Sequence, residues 1–146
     1  MTTTAATPGT TTREQMDALV DGHYRAEETE DLAAIVAGFQ PDAEHDVVGR
    51  PGGVLTGTAS IEHFYRALFA DLRIDRFEPV RRRYGEDHVV DESLLHATAV
   101  GQPFGMPGRG RPVTVRFLHI FDFRDGLISA ETAWIDIAAI QQQLTA

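Results

Sequence analysis

The apolar residues in the first half of the chain recur at helical intervals. Thr12 and Gln15 have the spacing of a capping box, and the apolar positions after them predict a first helix over residues 13–28. A second apolar stripe predicts a helix that ends at Pro41, because proline is excluded from a helix interior. Thr58 is expected to be the N-cap of a third helix.

From about residue 74 the pattern changes to the period-two alternation that is typical of strands. The dipeptide Asp125-Gly126 separates the last two predicted strands and favours a tight hairpin turn. The predicted strands cover residues 76–84, 89–100, 113–123 and 127–137. Helices followed by antiparallel strands predict an α+β fold, in which three N-terminal helices pack on a curved, mainly antiparallel sheet that encloses a cone.

Composition and charge narrow the possible functions. The chain has 22 acidic and 13 basic residues, so its net charge of −9 disfavours binding to nucleic acid or to an anionic membrane. The arginine triplet at residues 81–83 is the one basic run, and we interpret it as a solvated strand face. There is no cysteine, which excludes disulfides and thiolate chemistry. No apolar stretch approaches the length of a membrane-spanning helix.

The N-terminal stretch MTTTAATPGTTT is rich in threonine and lacks the apolar region of a signal peptide. We therefore expect a disordered leader over residues 1–12, one folded domain over residues 13–146, and a cytoplasmic location. A chain of 146 residues can bury a core without metal or disulfide cross-links. No histidine pair has the spacing of a metal site, so no metal is expected. The proton transfer that is inferred below needs no organic cofactor either.

Four segments together resemble one known superfamily. In chain order they are DLAAIVAGF, DAEHDVVG, LTGTASIEHFY and FLHIFDFRDGLI, and they are similar to the superfamily named for nuclear transport factor two. Within it, the chain is most similar to ketosteroid isomerases and SnoaL-like polyketide cyclases. The resemblance extends from Thr12 to Leu144 and implies the same cone-shaped fold.

Asp46, in the segment DVVG, is the first candidate catalytic residue. A carboxylate beside Val47 and Val48 costs stability unless it is solvated, hydrogen-bonded or used in chemistry. One alternative is that it caps the turn through Gly49. By resemblance, Asp46 occupies the position of the carboxylate that moves a proton beside the substrate carbonyl in ketosteroid isomerases, which implies a general base. Its neighbour His45 is then expected to point the opposite way, to the surface.

His119 is the second candidate. Alternation places it on one strand face with Phe117, Phe121 and Phe123, and this aromatic face is expected to be the inner one, with Phe117 and Phe121 in the substrate pocket. A histidine among aromatic residues is often an ordinary core residue. By resemblance, isomerases place the carboxylic acid of their oxyanion hole here, and SnoaL-like cyclases place a catalytic histidine nearby. This implies that His119 stabilises or protonates an enolate.

The last strand departs from the cyclase pattern. The catalytic aspartate of the cyclases aligns with Ala133, which cannot transfer a proton. Alternation sends Glu131 and Ala133 inward, so Glu131 could replace the missing acid. Asp136 remains the alternative, because a register error of one residue exchanges the two faces of a strand.

Two tyrosines complete the expected site. By resemblance to the isomerases, Tyr24 on the first helix donates a hydrogen bond to the developing oxyanion, and Tyr65 at the end of the third helix supports it. The match at Tyr24 needs a one-residue deletion, and without it His23 takes the place. The alternative for both tyrosines is ordinary helix packing.

The combined prediction is an enzyme for a small apolar or polyketide-like substrate. Asp46 is the expected general base, and His119, with Tyr24, acts on the enolate of an isomerisation or an aldol-type cyclisation. The alternatives are a dehydratase or epoxide hydrolase on the same fold, and a ligand-binding or association domain without turnover. A catalytic pocket would pair Asp46 with His119 across a cavity.

The outer face of the predicted sheet is also apolar. Leu118, Ile120 and Trp134 point outward in the expected register. Monomeric proteins rarely leave such a patch exposed, so a homodimer is expected.

Overall fold

A curved six-stranded sheet carries the helices in the computed structural model, which describes residues 10–146. The helices are α1 (Arg13–Glu28), α2 (Leu32–Ala37), α3 (Thr58–Asp71) and α4 (Ile137–Thr145), with a short 3-10 turn at Pro103–Gly105. The strands are β1 (Phe39–Val47), β2 (Leu55–Thr56), β3 (Leu72–Tyr84), β4 (His88–Ala99), β5 (Arg111–Arg124) and β6 (Leu127–Ile135). The expected α+β class is confirmed.

Three boundaries of helices and strands differ from the prediction. The second helix ends at Ala37, because strand β1 already begins at Phe39 and includes Pro41. Helix α3 begins after Gly57, whose φ of 91° favours glycine, so Thr58 is the first helical residue and not the cap. The predicted last strand stops at Ile135, and helix α4 follows it.

The boundary of the expected leader also changes. Residues 1–9 lie outside the described part of the chain, but Thr11 is buried and its hydroxyl accepts a hydrogen bond from the Gly126 amide. Thr12 forms the predicted capping box with Gln15. The last residues assigned to the leader therefore belong to the folded domain.

The order of strands in the sheet is β2-β1-β6-β5-β4-β3. All neighbouring strands are antiparallel except β1 and β6, which are parallel and place His45 opposite Glu131. The β5–β6 hairpin turns at Asp125 and Gly126, both with positive φ, as the dipeptide predicts. The pairing of β1 with β6 decides which β1 side chains face the interior.

The inner face of the sheet packs against the helices in two neighbouring core clusters. One lies under α1, α2 and α3 and includes Val20, Ile61 and Phe121. The other includes Leu95 and Val115 and is covered by α4. Residues of both clusters meet at the cavity described below.

The outer face follows the predicted alternation. Trp134 is 39% exposed, and Leu118 and Ile120 are half-buried beside it. The register expected for β6 is thus confirmed, with Glu131 and Ala133 buried on the inner face. Asp136 is not a site residue, because its carboxylate caps α4 by accepting from the Ala139 amide at 3.0 Å.

The interpretation of the arginine triplet is wrong for its central residue. The guanidinium of Arg82 contacts the carboxylates of Asp17 and Asp21 on α1 at 2.9 Å each, and that of Asp91 on β4 at 2.7 Å. Its side chain is only 17% exposed, whereas that of Arg81 is 56% exposed. Arg82 therefore joins the first helix to the sheet.

We expect Arg82→Met to destabilise the protein, because it leaves the buried carboxylate of Asp91 without its cation. The loss should be about 2 kcal/mol, since Arg82 is partly solvated and its pairs are weaker than fully buried ones. Urea unfolding measures this difference. The neighbouring Arg81→Met removes the contact of an exposed arginine with Glu92, which keeps its contact with Arg116, and should have a much smaller effect. Equal losses of stability in the two variants would contradict the role of Arg82 in joining helix α1 to the sheet.

Candidate functional site

A cavity of about 340 Å³ lies between the sheet and the helices. Val48, Phe104 and Ile137 are partly exposed lining residues and mark its open end. The walls are mostly apolar, whereas the polar lining side chains, apart from Arg50, lie on buried residues. Those polar residues are Glu27, His45, Tyr65, His119 and Glu131. The cavity thus has apolar walls and a polar closed end, an arrangement typical of small-molecule sites.

The carboxylate of Glu131 is the centre of this closed end. Glu131 is 2% exposed, and the Tyr65 hydroxyl donates to its Oε2 at 2.9 Å. Its oxygens also lie near the Nε2 atoms of three histidines, at 3.4 Å from His23, 3.3 Å from His45 and 3.5 Å from His119. One acidic side chain therefore connects groups from α1, α3, β1 and β5.

The buried residues of this closed end differ in their charge at neutral pH. Burial opposes ionisation of Glu131, yet His23 and His45 hold its pKa well below the usual range. Burial likewise opposes protonation of His23, but the charge of Glu131 and a hydrogen bond to it raise the pKa of His23 to about 9. At neutral pH Glu131 and His23 are therefore an ion pair.

His119 is neutral at the same pH. Burial lowers its pKa to about 3, and the charges of His23 and His45 act in the same direction against the opposing effect of Glu131. The imidazole is stacked on Phe117 at a centroid distance of 4.1 Å and on Phe121 at 5.2 Å. These contacts confirm the expected inner face and fix the plane of the ring.

A chain of polar contacts sets the tautomer of His119. Arg82 donates to Asp91, and the Tyr24 hydroxyl lies 2.6 Å from Asp91 Oδ2 and 3.2 Å from His119 Nδ1. A hydroxyl has one proton, and the shorter contact is to the carboxylate, so Tyr24 donates to Asp91 and accepts from His119 Nδ1–H. The Nε2 atom, which lies beside Glu131, is then unprotonated.

The expected orientation of β1 is wrong. His45 is 1% exposed and lines the cavity, whereas Asp46 is partly exposed and is not among the lining residues. The cause is the parallel pairing with β6, which aligns His45 with inward-facing Glu131 and Asp46 with Thr132. The expected pairing of Asp46 with His119 across the cavity does not form.

Two residues of helix α1, His23 and Tyr24, were alternatives for the same position in the site. Both are buried, but neither lines the cavity. His23 pairs with Glu131, and its Nε2 lies 3.1 Å from the Tyr65 hydroxyl. Tyr24 lies behind His119 and is 7% exposed. Among the other expected binding residues, Tyr65, Phe117 and Ala133 line the cavity. Phe121 does not line it, because it is fully buried behind the surface of the cavity, beside His119.

Sequence reasoning missed four residues of this network. Asp91 shares the inner face of β4 with Val89 and Leu95, a period-two signal that could have indicated it. Its partner Arg82 sits in a basic run, Glu27 in an acidic run, and His45 beside another polar residue, so no local pattern distinguishes them.

Within residues 10–146, no group of three or more His, Cys, Asp or Glu side chains has an arrangement that could hold a metal ion. Over the same range, every helix is too short or too polar to cross a membrane.

Comparison with known proteins now defines the class. The chain belongs to the SnoaL-like domain family, whose model matches residues 20–131. No curated protein matches the sequence. The solved structures that resemble it share the cone fold of the nuclear transport factor two superfamily.

Three of these structures illustrate the range of similar proteins. A candidate polyketide cyclase from Xanthomonas campestris is 22% identical, with a TM-score of 0.78 over 90% of this chain and 98% of that one. A protein of ketosteroid isomerase-like fold from Catenulispora acidiphila is 18% identical, with a TM-score of 0.74 over 92% and 95%. An LEH-like epoxide hydrolase from Mycobacterium tuberculosis is 16% identical, with a TM-score of 0.72 over 90% of each chain. At such identities the likeness shows the fold alone.

The shifted pKa values predict that stability falls with rising pH. Burial, reinforced by Glu131 and Glu28 and opposed by His23, raises the pKa of Glu27 from its ordinary 4.5 to about 8, and that of His23 rises from 6.5 to about 9. The folded state then binds more protons than the unfolded state between these values, so stability is lost as pH rises through them. We expect Tm to decrease from pH 6.5 to pH 9 in thermal unfolding followed by circular dichroism.

Two variants test whether the titration of Glu27 contributes to this decrease in Tm. Glu27→Gln removes one titrating group and should make the decrease shallower, whereas the exposed Glu14→Gln on the same helix should leave it unchanged. A Tm that is constant over this range in the unmodified protein would contradict the assigned protonation states.

Proposed function

We propose that this protein is an enzyme that moves a proton on a carbon next to a carbonyl group, as an isomerase or a polyketide-type cyclase. The observation that carries the proposal is the closed end of the cavity, where neutral His119 lies 3.5 Å from ionised Glu131. A neutral imidazole can take a proton there, and the carboxylate stabilises the imidazolium that forms.

The proposed first step is removal of a proton by His119 Nε2. The electrons of the broken C–H bond form the C=C bond of an enolate, and the carbonyl π electrons move to oxygen. Tyr24 and Asp91 hold the ring in the Nδ1–H tautomer during this step. These roles differ from the sequence-based expectation, in which Asp46 was the base and His119 acted on the oxyanion.

The second step distinguishes the two reaction types. In an isomerisation the imidazolium returns its proton to a different carbon of the enolate. In a cyclisation the enolate carbon attacks a second carbonyl of the same molecule, and the proton goes to the alkoxide that results. Both steps leave the protein in its starting state and need no other reactant.

The basicity of His119 indicates the class of substrate. A base whose pKa is about 3 before substrate binds is weak, and proton removal by a weak base requires an acidic carbon. A CH₂ group between two carbonyls is such a carbon, and it recurs along polyketide chains. The apolar walls, among them Leu72, Ile74 and Leu95, favour an otherwise hydrophobic molecule.

Deuterium exchange into ethyl benzoylacetate tests the proposal. This β-keto ester carries an acidic CH₂ and an apolar phenyl ring, and proton NMR in D₂O follows the loss of its CH₂ signal. We expect the unmodified protein to accelerate exchange over buffer. Glu131→Gln and His119→Phe, which preserves the ring stacking, should each reduce the acceleration by at least about 100-fold.

Asp46→Asn provides the contrast for this experiment. Because Asp46 lies on the outer face of β1, this variant should retain the exchange rate of the unmodified protein. A large loss in Asp46→Asn together with retained exchange in His119→Phe would contradict the proposal. Binding of the ester without any acceleration of exchange would instead support a ligand-binding domain without turnover.

We also propose that the protein is a homodimer that pairs through the outer face of the sheet. Leu118, Ile120 and partly exposed Trp134 form an apolar patch there. Trp134→Glu should yield monomers with a lower Tm, because it introduces a charge into the interface. Val54→Glu, at a residue that is 50% exposed and away from this patch, should not. A monomeric unmodified protein in light scattering at tens of micromolar would overturn the dimer.

A further inference from the structure

Glu27 is a second buried carboxyl group at the cavity, and the proposed steps do not use it. It lies in the last turn of α1, is 4% exposed, and lines the cavity. Its Oε2 atom has no hydrogen-bond partner among the described residues. The nearest cation is His23, whose Nε2 is 3.7 Å from this oxygen, beyond hydrogen-bond distance.

Two carboxyl groups therefore compete for one histidine. Glu131 lies closer to His23, at 3.4 Å, and also receives the Tyr65 hydroxyl, so it is the better-stabilised anion. A second ionised carboxylate in the same buried space would be repelled by the first and would lack compensating contacts. Glu27 is consequently the member of the pair that keeps its proton.

Every other charged or titratable group that acts on Glu27 is consistent with this assignment. Glu28 on the same helix is acidic and adds to the repulsion. The hydroxyls of Tyr24 and Tyr65 are both un-ionised at neutral pH, because burial raises the pKa of each well above its usual value. The pKa of about 8 for Glu27 agrees with the geometric argument. Because Glu27 lines the cavity, its neutral carboxylic acid supplies an O–H donor at the cavity wall.

We propose that Glu27 is a ligand-binding residue whose carboxylic acid O–H donates a hydrogen bond to a carbonyl oxygen of the molecule in the cavity. The occupant is therefore an uncharged, largely apolar carbonyl compound, because a carboxylate would meet the negative charge of Glu131. The inference rests on the proposed function only where this occupant is identified as the substrate. In that case the contact strengthens as the oxygen becomes an enolate.

Infrared difference spectroscopy with 2-acetylnaphthalene tests the contact directly. The unmodified protein at neutral pH should show the C=O stretch of a protonated carboxyl group, which Glu27→Gln removes and Glu14→Gln retains. Adding the ketone should shift this band and the ¹³C-labelled ketone band to lower frequency, as a new hydrogen bond requires. 2-Naphthoate, of similar shape but charged, should bind more weakly.

Binding measurements separate a hydrogen bond from simple packing. Glu27→Met keeps the side-chain length but removes the donor, and should weaken binding of 2-acetylnaphthalene about tenfold. Glu27→Gln, whose amide can still donate, should restore most of the affinity. These substitutions replace a buried titrating group with a neutral one, so they do not leave a charge unpaired.

Three results would overturn the proposal: a carboxyl band that persists in Glu27→Gln, bands that the ketone does not move, or equal affinity of Glu27→Met and the unmodified protein. Failure of the ketone to bind would also overturn it. The exchange of ethyl benzoylacetate is measured separately. Band shifts without exchange would retain the role of Glu27 and remove the proposed function, and exchange without band shifts would do the reverse.

Discussion

The carboxylate of Glu131 lies at the closed end of an apolar cavity, where an unpaired charge costs on the order of several kcal/mol. The protein meets this cost with the Tyr65 hydroxyl and the imidazoles of His23 and His45. Because these groups come from two helices and from strand β1, the ionised carboxylate constrains how the helices sit on the sheet. The same carboxylate forms an ion pair with His23 and lies beside the neutral imidazole of His119.

A second layer of contacts supports this centre from outside the cavity. Arg82 connects α1 to Asp91, and Asp91 holds the Tyr24 hydroxyl that accepts from His119. The last turn of α1 also brings Glu27 to the cavity. Helix α1 is thus both a structural element of the cone and the source of several groups at its polar end, so its attachment to the sheet and the chemistry of the site are coupled.

Local patterns were sufficient for the fold class, the register of β5 and β6, and the inward positions of His119 and Glu131, because aromatic and apolar residues alternate clearly in FLHIFDF and on the last strand. They failed in β1. The segment EHDV has polar residues on both faces, so only the parallel partner β6 decides that His45 points inward and Asp46 outward. Arg82 was misjudged for the same kind of reason, since two of its three carboxylate partners lie on α1, 65 and 61 residues away in sequence.

Nitrogen-15 NMR of the histidine side chains tests the central claim most directly, because it reports the charge and tautomer of each imidazole. At neutral pH the account predicts that His23 is a doubly protonated imidazolium in contact with Glu131. It also predicts that His119 is neutral with its proton on Nδ1 and an unprotonated Nε2. A charged His119, a His119 protonated on Nε2, or a neutral His23 would contradict it.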